Sequence, residues 1–182
     1  MAATKKLIVE KGYSDMTTKD VAKEAQVNEV TLFRQFGSKK DLLLATLREA
    51  EWIPSVSKDI YDQFQWELAS DLRLIMETYL QQVTPEIVRF SLGLRAQEIY
   101  QETMPYIEKI PTAFIQTLAD YLIEMKSKKQ VEIQDPKRSA EIIFSSMIGF
   151  AFLHAYSSSD QYESEAEIFI SHAIDQFING FI

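Results

Sequence analysis

Residues 17–42 read TTKDVAKEAQVNEVTLFRQFGSKKDL, and the reading of this stretch decides the fold. Thr17-Thr18-Lys19-Asp20 has the pattern of a capping box, with Asp20 at the third helical position. Val21, Ala22 and Ala25 follow at helical spacing. Gln26-Val27 makes a short turn, and Asn28 is a favoured N-cap for a helix over Glu29–Phe36. Leu32 and Phe36 lie one turn apart on the inner face of that helix. Gly37 stops it. Ser38 caps the next helix, which carries Leu42, Leu43, Ala45, Thr46 and Leu47 and runs to about Glu51. Upstream, residues 4–11 read as a helix closed by Gly12, a good residue just past a helix end.

Outward from this stretch the chain keeps a helical period. Helices are expected near 58–82, with a split near Ser70, and near 85–101, 105–128, 136–157 and 164–179. Pro54, Pro85, Pro105, Pro111 and Pro136 punctuate them, since proline favours a first helical turn or a break. Ser157-Ser158-Ser159-Asp160 is the clearest loop, and no segment of strand period exceeds Gln130–Gln134. The chain has 182 residues, 46% hydrophobic and 25% charged, an ordinary globular balance. Only 5 glycines leave little room for β-turns or phosphate-cradling loops. Cysteine is absent, which excludes disulfides, thiolate metal sites and a cysteine nucleophile. The expectation is an all-α protein: an N-terminal three-helix helix-turn-helix domain over residues 1–48, then a larger helical domain over residues 49–182.

The most apolar run, Ile142 to Ala155, is too short for a bilayer span of about 20 residues. No basic, then apolar, then small-residue signal opens the chain. A soluble cytoplasmic protein without a membrane partner is expected. The net charge of −8 is unevenly spread. Residues 1–50 hold nine Lys and Arg against seven Asp and Glu; the remainder holds ten against twenty. Charges beyond roughly 8 Å are screened, so the acidic remainder does not forbid phosphate contacts by the N-terminal segment. A helix-turn-helix offers its second helix to the major groove of DNA. Leu32 and Phe36 hold that helix to the core, which turns Glu29, Val30, Thr31, Phe33, Arg34 and Gln35 toward the open side.

At these residues the chain resembles the DNA-binding domain of the TetR/AcrR family of one-component transcriptional repressors. That family typically reads T-T-x-x-I-A, then A-G-V-S-x-x-T-L-Y-x-H-F, then x-S-K-x-x-L. The matching positions are Thr17-Thr18, Val21-Ala22, Ala25, Val27-Asn28, Thr31-Leu32-Phe33, Phe36, Ser38-Lys39 and Leu42, with Gly12-Tyr13 closing the first helix. Gln26 replaces the family's turn glycine, which predicts a strained or reshaped backbone there. Phe33 replaces the usual tyrosine and Gln35 the usual histidine. Glu29 is acidic where many relatives are neutral or basic; it repels phosphate and accepts from cytosine N4. Met1-Ala2-Ala3 aligns inside the family's first helix, so the resemblance implies a preceding turn.

The resemblance implies that Thr17, Thr18, Lys39 and Gln35 contact phosphate or orient the reading helix. Glu29, Val30 and Phe33 meet base edges or thymine methyls, Thr31 and Arg34 serve either role, and Lys19 reaches a phosphate or a guanine. Against these roles stand plain capping for Thr17 and Ser38, partial burial for Phe33 and a solvated face for Arg34. The family's last two helices form a four-helix bundle with a second copy. Here Phe144, Met147, Ala151 and His154 on one helix, and Phe169, Ala173 and Phe177 on the next, are the candidate dimer face. The alternative is that these stripes bury into their own subunit. A small-molecule pocket is expected among Trp66, Met76, Tyr79, Phe90 and Leu94, together with Tyr100, Met104, Phe114, Met147 and Phe150, although most such side chains are ordinary core.

Enzyme readings fare badly. His154 and His172 lack metal-ligand spacing, and there is no glycine-rich phosphate loop or G-x-S-x-G elbow. No metal and no cofactor is expected. The leading expectation is a dimeric repressor released from palindromic operator DNA by a small apolar or amphipathic effector. The alternative is a helical interaction or small-molecule carrier protein of the same fold that does not read DNA.

Overall fold

The structure, a computed structural model, describes residues 1–49 and 58–181. Helices α1 (Ala2–Asp15), α2 (Thr18–Glu24), α3 (Glu29–Phe36) and α4 (Lys39–Arg48) come first. A 3-10 turn over Lys58–Gln63 precedes α5 (Leu68–Gln82) and α6 (Pro85–Gly93). A second 3-10 turn, Gln97–Ile99, leads into α7 (Tyr100–Ile107), followed by α8 (Lys109–Ser127), α9 (Pro136–Leu153) and α10 (Ser159–Phe181). No strand occurs among the described residues. The packing divides into two compact units: Met1–Ile53 with Glu86–Glu108, and Pro54–Pro85 with Lys109–Ile182.

The N-terminal unit is more than its helix-turn-helix, because residues 86–108 pack into the same core. Ile8, Met16, Leu42, Leu43 and Leu47 are buried together with Phe90, Leu94 and Ile99. A Cβ on Gly93 would lie 2.7 Å from both Cγ2 and the carbonyl oxygen of Ile8, so only glycine lets α6 end this close to α1. The Thr103 hydroxyl, fully buried, is shared between the carbonyls of Leu94 at 3.1 Å and Ile99 at 3.0 Å. That fastens α7 to the turn before it. The packing therefore does not follow the expected single division between residues 48 and 49.

The second unit is built from α5, α8, α9 and α10. Its deep core includes Leu72, Ile75, Met76, Tyr79, Phe114, Leu118, Tyr121, Ile143 and Met147. The break before α5 falls at residues 64–67, not near Ser70. The buried Asp71 carboxylate dictates this by accepting from the Gln65 N–H at 2.8 Å, the Glu67 N–H at 3.1 Å and the Tyr121 hydroxyl at 3.0 Å. Trp66, between those two amides, takes φ 59°.

Other boundaries differ for local reasons. The helix expected over 85–101 stops at Gly93 and resumes at Tyr100. Pro105 lies inside α7, which ends two residues later, and does not open a helix. The last helix starts at Ser159, where the Ser158 hydroxyl accepts from the Gln161 N–H at 3.4 Å. The helix after Ser38 ends at Arg48, with Glu49 extended; its expected extension to Glu51 lies outside the described residues.

Candidate nucleic-acid interface

The candidate interface is assembled from α2, the turn after it and α3. Thr17 and Asp20 form the expected capping box: the Asp20 N–H donates to Thr17 Oγ1, and the Thr17 N–H to Asp20 Oδ2, each at 3.1 Å. Lys11 adds an ion pair to the same carboxylate at 2.9 Å. The Lys11 hydrogen bond, then those from Thr17, hold the Asp20 carboxyl down at about 2. Thr17 is thereby engaged in capping.

Helix α2 ends in a Schellman motif. The Val27 N–H reaches the Ala22 carbonyl at 2.9 Å and the Gln26 N–H reaches the Lys23 carbonyl at 3.2 Å. Gln26 is left at φ 54°, a left-handed conformation that favours glycine. The turn keeps its geometry despite the substitution, with the strain localised at one residue. Asn28 then caps α3, its Oδ1 accepting from the Val30 N–H at 2.8 Å. A second tie joins the two helices: the Thr18 hydroxyl donates to Glu29 Oε1 at 2.9 Å.

Leu32 is buried and Phe36 half-buried, so α3 packs by the expected face. Glu29, Val30, Thr31, Phe33, Arg34 and Gln35 are all exposed. Val30 is 73% exposed and Phe33 61%, so Phe33 is not partly buried against the domain. Lys19 and Arg34 are exposed and form no ion pair among the described residues. An eight-residue helix held by one face and presenting the other matches the dimensions of a major groove about 12 Å wide.

Lys39 has a different place. Its ammonium donates to the carbonyls of Tyr13 at 2.8 Å and Ser14 at 3.2 Å, and lies over the Tyr13 ring. It reinforces the end of α1, where the Tyr13 carbonyl also accepts from the Met16 N–H at 3.3 Å. Sequence reasoning missed this role, as it missed the Thr18–Glu29 tie, because the partners are distant in sequence. Sequence spacing carried no signal for either. Val27, also 46% exposed, extends the apolar surface of the turn.

Residues 1–46 match the model of the bacterial regulatory proteins of the tetR family. The uncharacterized HTH-type transcriptional regulator YvkB of Bacillus subtilis (strain 168) is 28% identical over 179 residues, covering 98% of this chain and 93% of that protein.

The chain's N-terminal segment, residues 1–46, is a tetR-family segment.

Solved structures agree in fold. The transcriptional regulator FadR from Bacillus subtilis, in complex with stearoyl-CoA, superposes with a TM-score of 0.70 at 19% identity, covering 95% of each chain. NalD of Pseudomonas aeruginosa, the secondary repressor of the MexAB-OprM multidrug efflux pump, gives 0.70 at 15% identity, covering 100% of this chain and 92% of its own. The family and this relative are transcriptional regulators, not enzymes.

The ten candidate pocket residues divide between the two units. Phe90 and Leu94 are fully buried in the core of the N-terminal unit, whereas Tyr100, in that same unit, is 48% exposed and Met104 half-buried. Trp66, Met76, Tyr79, Phe114, Met147 and Phe150 belong to the second unit. There the Tyr79 ring meets Phe114 edge-on at 4.9 Å and Phe144 at 5.3 Å, a close-packed cluster. Trp66 carries the Lys128 ammonium over its ring.

The candidate dimer residues divide as well. Phe144, Met147 and Ala151 are buried in their own subunit. His154, Phe169, Ala173 and Phe177 are half-buried, with His154 and Phe169 both stacked on Phe150. The exposed apolar side chains of α9 lie on another face: Ile142 at 56% and Leu153 at 84%, with Tyr156 just beyond its end at 79%. Helix α9 is apolar around most of its girth, so the pattern could not say which face meets its own core. No helix among the described residues is long and apolar enough to cross a membrane. Among the same residues no three His, Asp or Glu side chains gather as metal ligands.

Proposed function

We propose that this chain is a cytoplasmic, dimeric, ligand-responsive repressor that binds palindromic operator DNA through α3. The observation that carries the reading is the α2–turn–α3 unit, capped at both helix starts, with six adjacent exposed side chains outside Leu32. Thr18, Lys19, Thr31, Arg34 and Gln35 supply phosphate and polar contacts, and Thr17 a capped helix N-terminus. Lys39 acts by holding α1 in place and not by touching DNA.

The second copy docks on α9 through the face carrying Ile142, Ser146, Gly149 and Leu153. These recur every three to four residues, and a Cβ on Gly149 would meet nothing within 4 Å, so a partner helix has room to approach. A two-fold dimer suits a palindromic operator. The effector is a small apolar or amphipathic molecule taken up by the unit of α5, α8, α9 and α10. The stearoyl-CoA held by FadR supports that class. Effector binding favours a state with wrongly spaced reading heads, at a coupling of about 1–3 kcal/mol.

The test selects genomic fragments with the purified protein, then follows one by anisotropy across a salt series. Tight, salt-sensitive binding to a palindromic fragment, weakened in a Lys19→Ala, Arg34→Ala variant, is expected. Binding no tighter than to random DNA overturns the repressor reading in favour of a carrier or interaction protein. An effector screen on the complex that leaves affinity unchanged for every acyl or amphipathic compound removes the ligand-response part alone.

A further inference from the structure

We propose that Val30 and Phe33 select thymine through its C5-methyl group, so that each operator half-site contains thymines recognised by apolar packing. The proposal rests on the DNA-binding reading above and deepens it.

Val30 and Phe33 are three residues apart and therefore neighbours on the open side of α3. They are 73% and 61% exposed, while Leu32 and Phe36 already supply the apolar face that holds the helix. Neither exposed side chain contributes to the core of the unit. Val27, in the turn before the helix, is a further exposed apolar side chain at 46%. Apolar side chains of this size left in water at the centre of a reading surface call for an apolar counterpart.

The major groove offers only one. Guanine shows two acceptors, cytosine a donor, adenine an acceptor and a donor, and thymine an acceptor beside a methyl group. A guanine edge opposite Val30 or Phe33 would lose its water and find no donor, so the patch also selects against guanine there. Glu29 sharpens this. Its carboxylate accepts only, and the Thr18 hydroxyl fixes it at the start of the helix, where an acceptor edge is repelled. Donors occur at Thr31, Arg34 and Gln35, which leaves the methyl as the feature that Val30 and Phe33 can recognise.

The experiment takes the fragment obtained by genomic selection and replaces its thymines one at a time with deoxyuridine. This keeps every hydrogen-bonding group and removes only the methyl. At a contacted thymine the native protein is expected to bind about fourfold more weakly, the worth of one buried methyl-sized group. In Val30→Ala or Phe33→Ala the penalty at the matching position disappears, while penalties elsewhere persist. Both side chains lie outside the core, and native far-UV circular dichroism of the variants verifies their folding. If no deoxyuridine position weakens binding, or if each penalty survives in both variants, methyl selection is overturned while DNA binding stands. If the native protein selects no fragment at all, the DNA-binding reading fails and the proposal with it.

Discussion

The Lys39 ammonium is bound to Tyr13: it donates to the Tyr13 carbonyl at 2.8 Å and sits 4.2 Å from the centre of the same ring. The motif position that the family resemblance assigns to phosphate is thus used to fasten α4 to the end of α1. Lys39→Ala removes a charge-assisted hydrogen bond and a cation–π contact. It is expected to cost about 1–2 kcal/mol in urea unfolding. The salt dependence of DNA binding stays as in the native protein. Arg34→Ala behaves in the opposite way, with stability within about 0.5 kcal/mol and a salt slope reduced by about 1 if its guanidinium meets phosphate. A reduced salt slope in Lys39→Ala would return that residue to the DNA surface.

Gln26 occupies the left-handed position of the Schellman motif that ends α2. A non-glycine residue there costs about 1–2 kcal/mol, whereas glycine costs about 0.5–1 kcal/mol through the freedom it restores to the unfolded chain. Relief exceeds loss. Gln26→Gly is expected to stabilise the protein by about 0.5–1 kcal/mol in denaturant melts. Its operator affinity should be unchanged, because both turn hydrogen bonds use the backbone. Destabilisation would mean that the Gln26 side chain makes a compensating contact.

These two residues show what the sequence made legible. Thr17, Asn28 and Ser38 each sit where a cap is needed, and their partners are two or three residues away, so α2, α3 and α4 could be read directly. The turn at Gln26 was legible as a departure from glycine. The exposed row on α3 followed from the burial of Leu32. What stayed hidden depends on distant partners. Residues 86–108 join the N-terminal core through Phe90, Leu94 and the close approach of Gly93 to Ile8, and no local pattern announces a contact of that range. Helix α9 defeated the pattern differently. With Ile142, Ile143, Phe144, Met147, Ile148, Phe150, Phe152 and Leu153 around its circumference, an apolar stripe could be drawn on either face. Burial assigns Phe144 and Met147 inward and leaves Ile142 and Leu153 outside.

Asp71 holds the turn before α5 in place of a cap. Asp71→Ala removes the acceptor from the Gln65 and Glu67 amides and orphans the Tyr121 hydroxyl, which the fold buries completely. The expected loss is about 3 kcal/mol or more. Tyr121→Phe leaves both amides bound to the carboxylate and should cost only about 1–1.5 kcal/mol. Urea unfolding of the two variants measures the difference. Equal losses would show that the amides find other partners and that the carboxylate does not define the turn.

Three buried tyrosines in the second unit make its stability sensitive to alkali. Burial raises Tyr79 and Tyr162, the latter to about 12; burial and then the Asp71 charge raise Tyr121. In the unfolded chain a phenol ionises near 10. Above that pH the unfolded state has lost protons that the folded state still holds, so stability falls as pH rises. Below about pH 10 the contribution is complete. For Tyr162 it drains away as the pH climbs from about 10 toward its folded value. Tyr162→Phe removes one titrating group and the hydrogen bond from its hydroxyl to the Val83 carbonyl, 2.8 Å away. At neutral pH the variant is expected to be about 1 kcal/mol less stable. Above about pH 10 its stability should decline less steeply than that of the native chain, by up to about 1.4 kcal/mol per pH unit. The two stability curves should therefore converge with rising pH. Parallel curves in urea melts across that range would show that Tyr162 ionises no later in the folded protein than in the unfolded one.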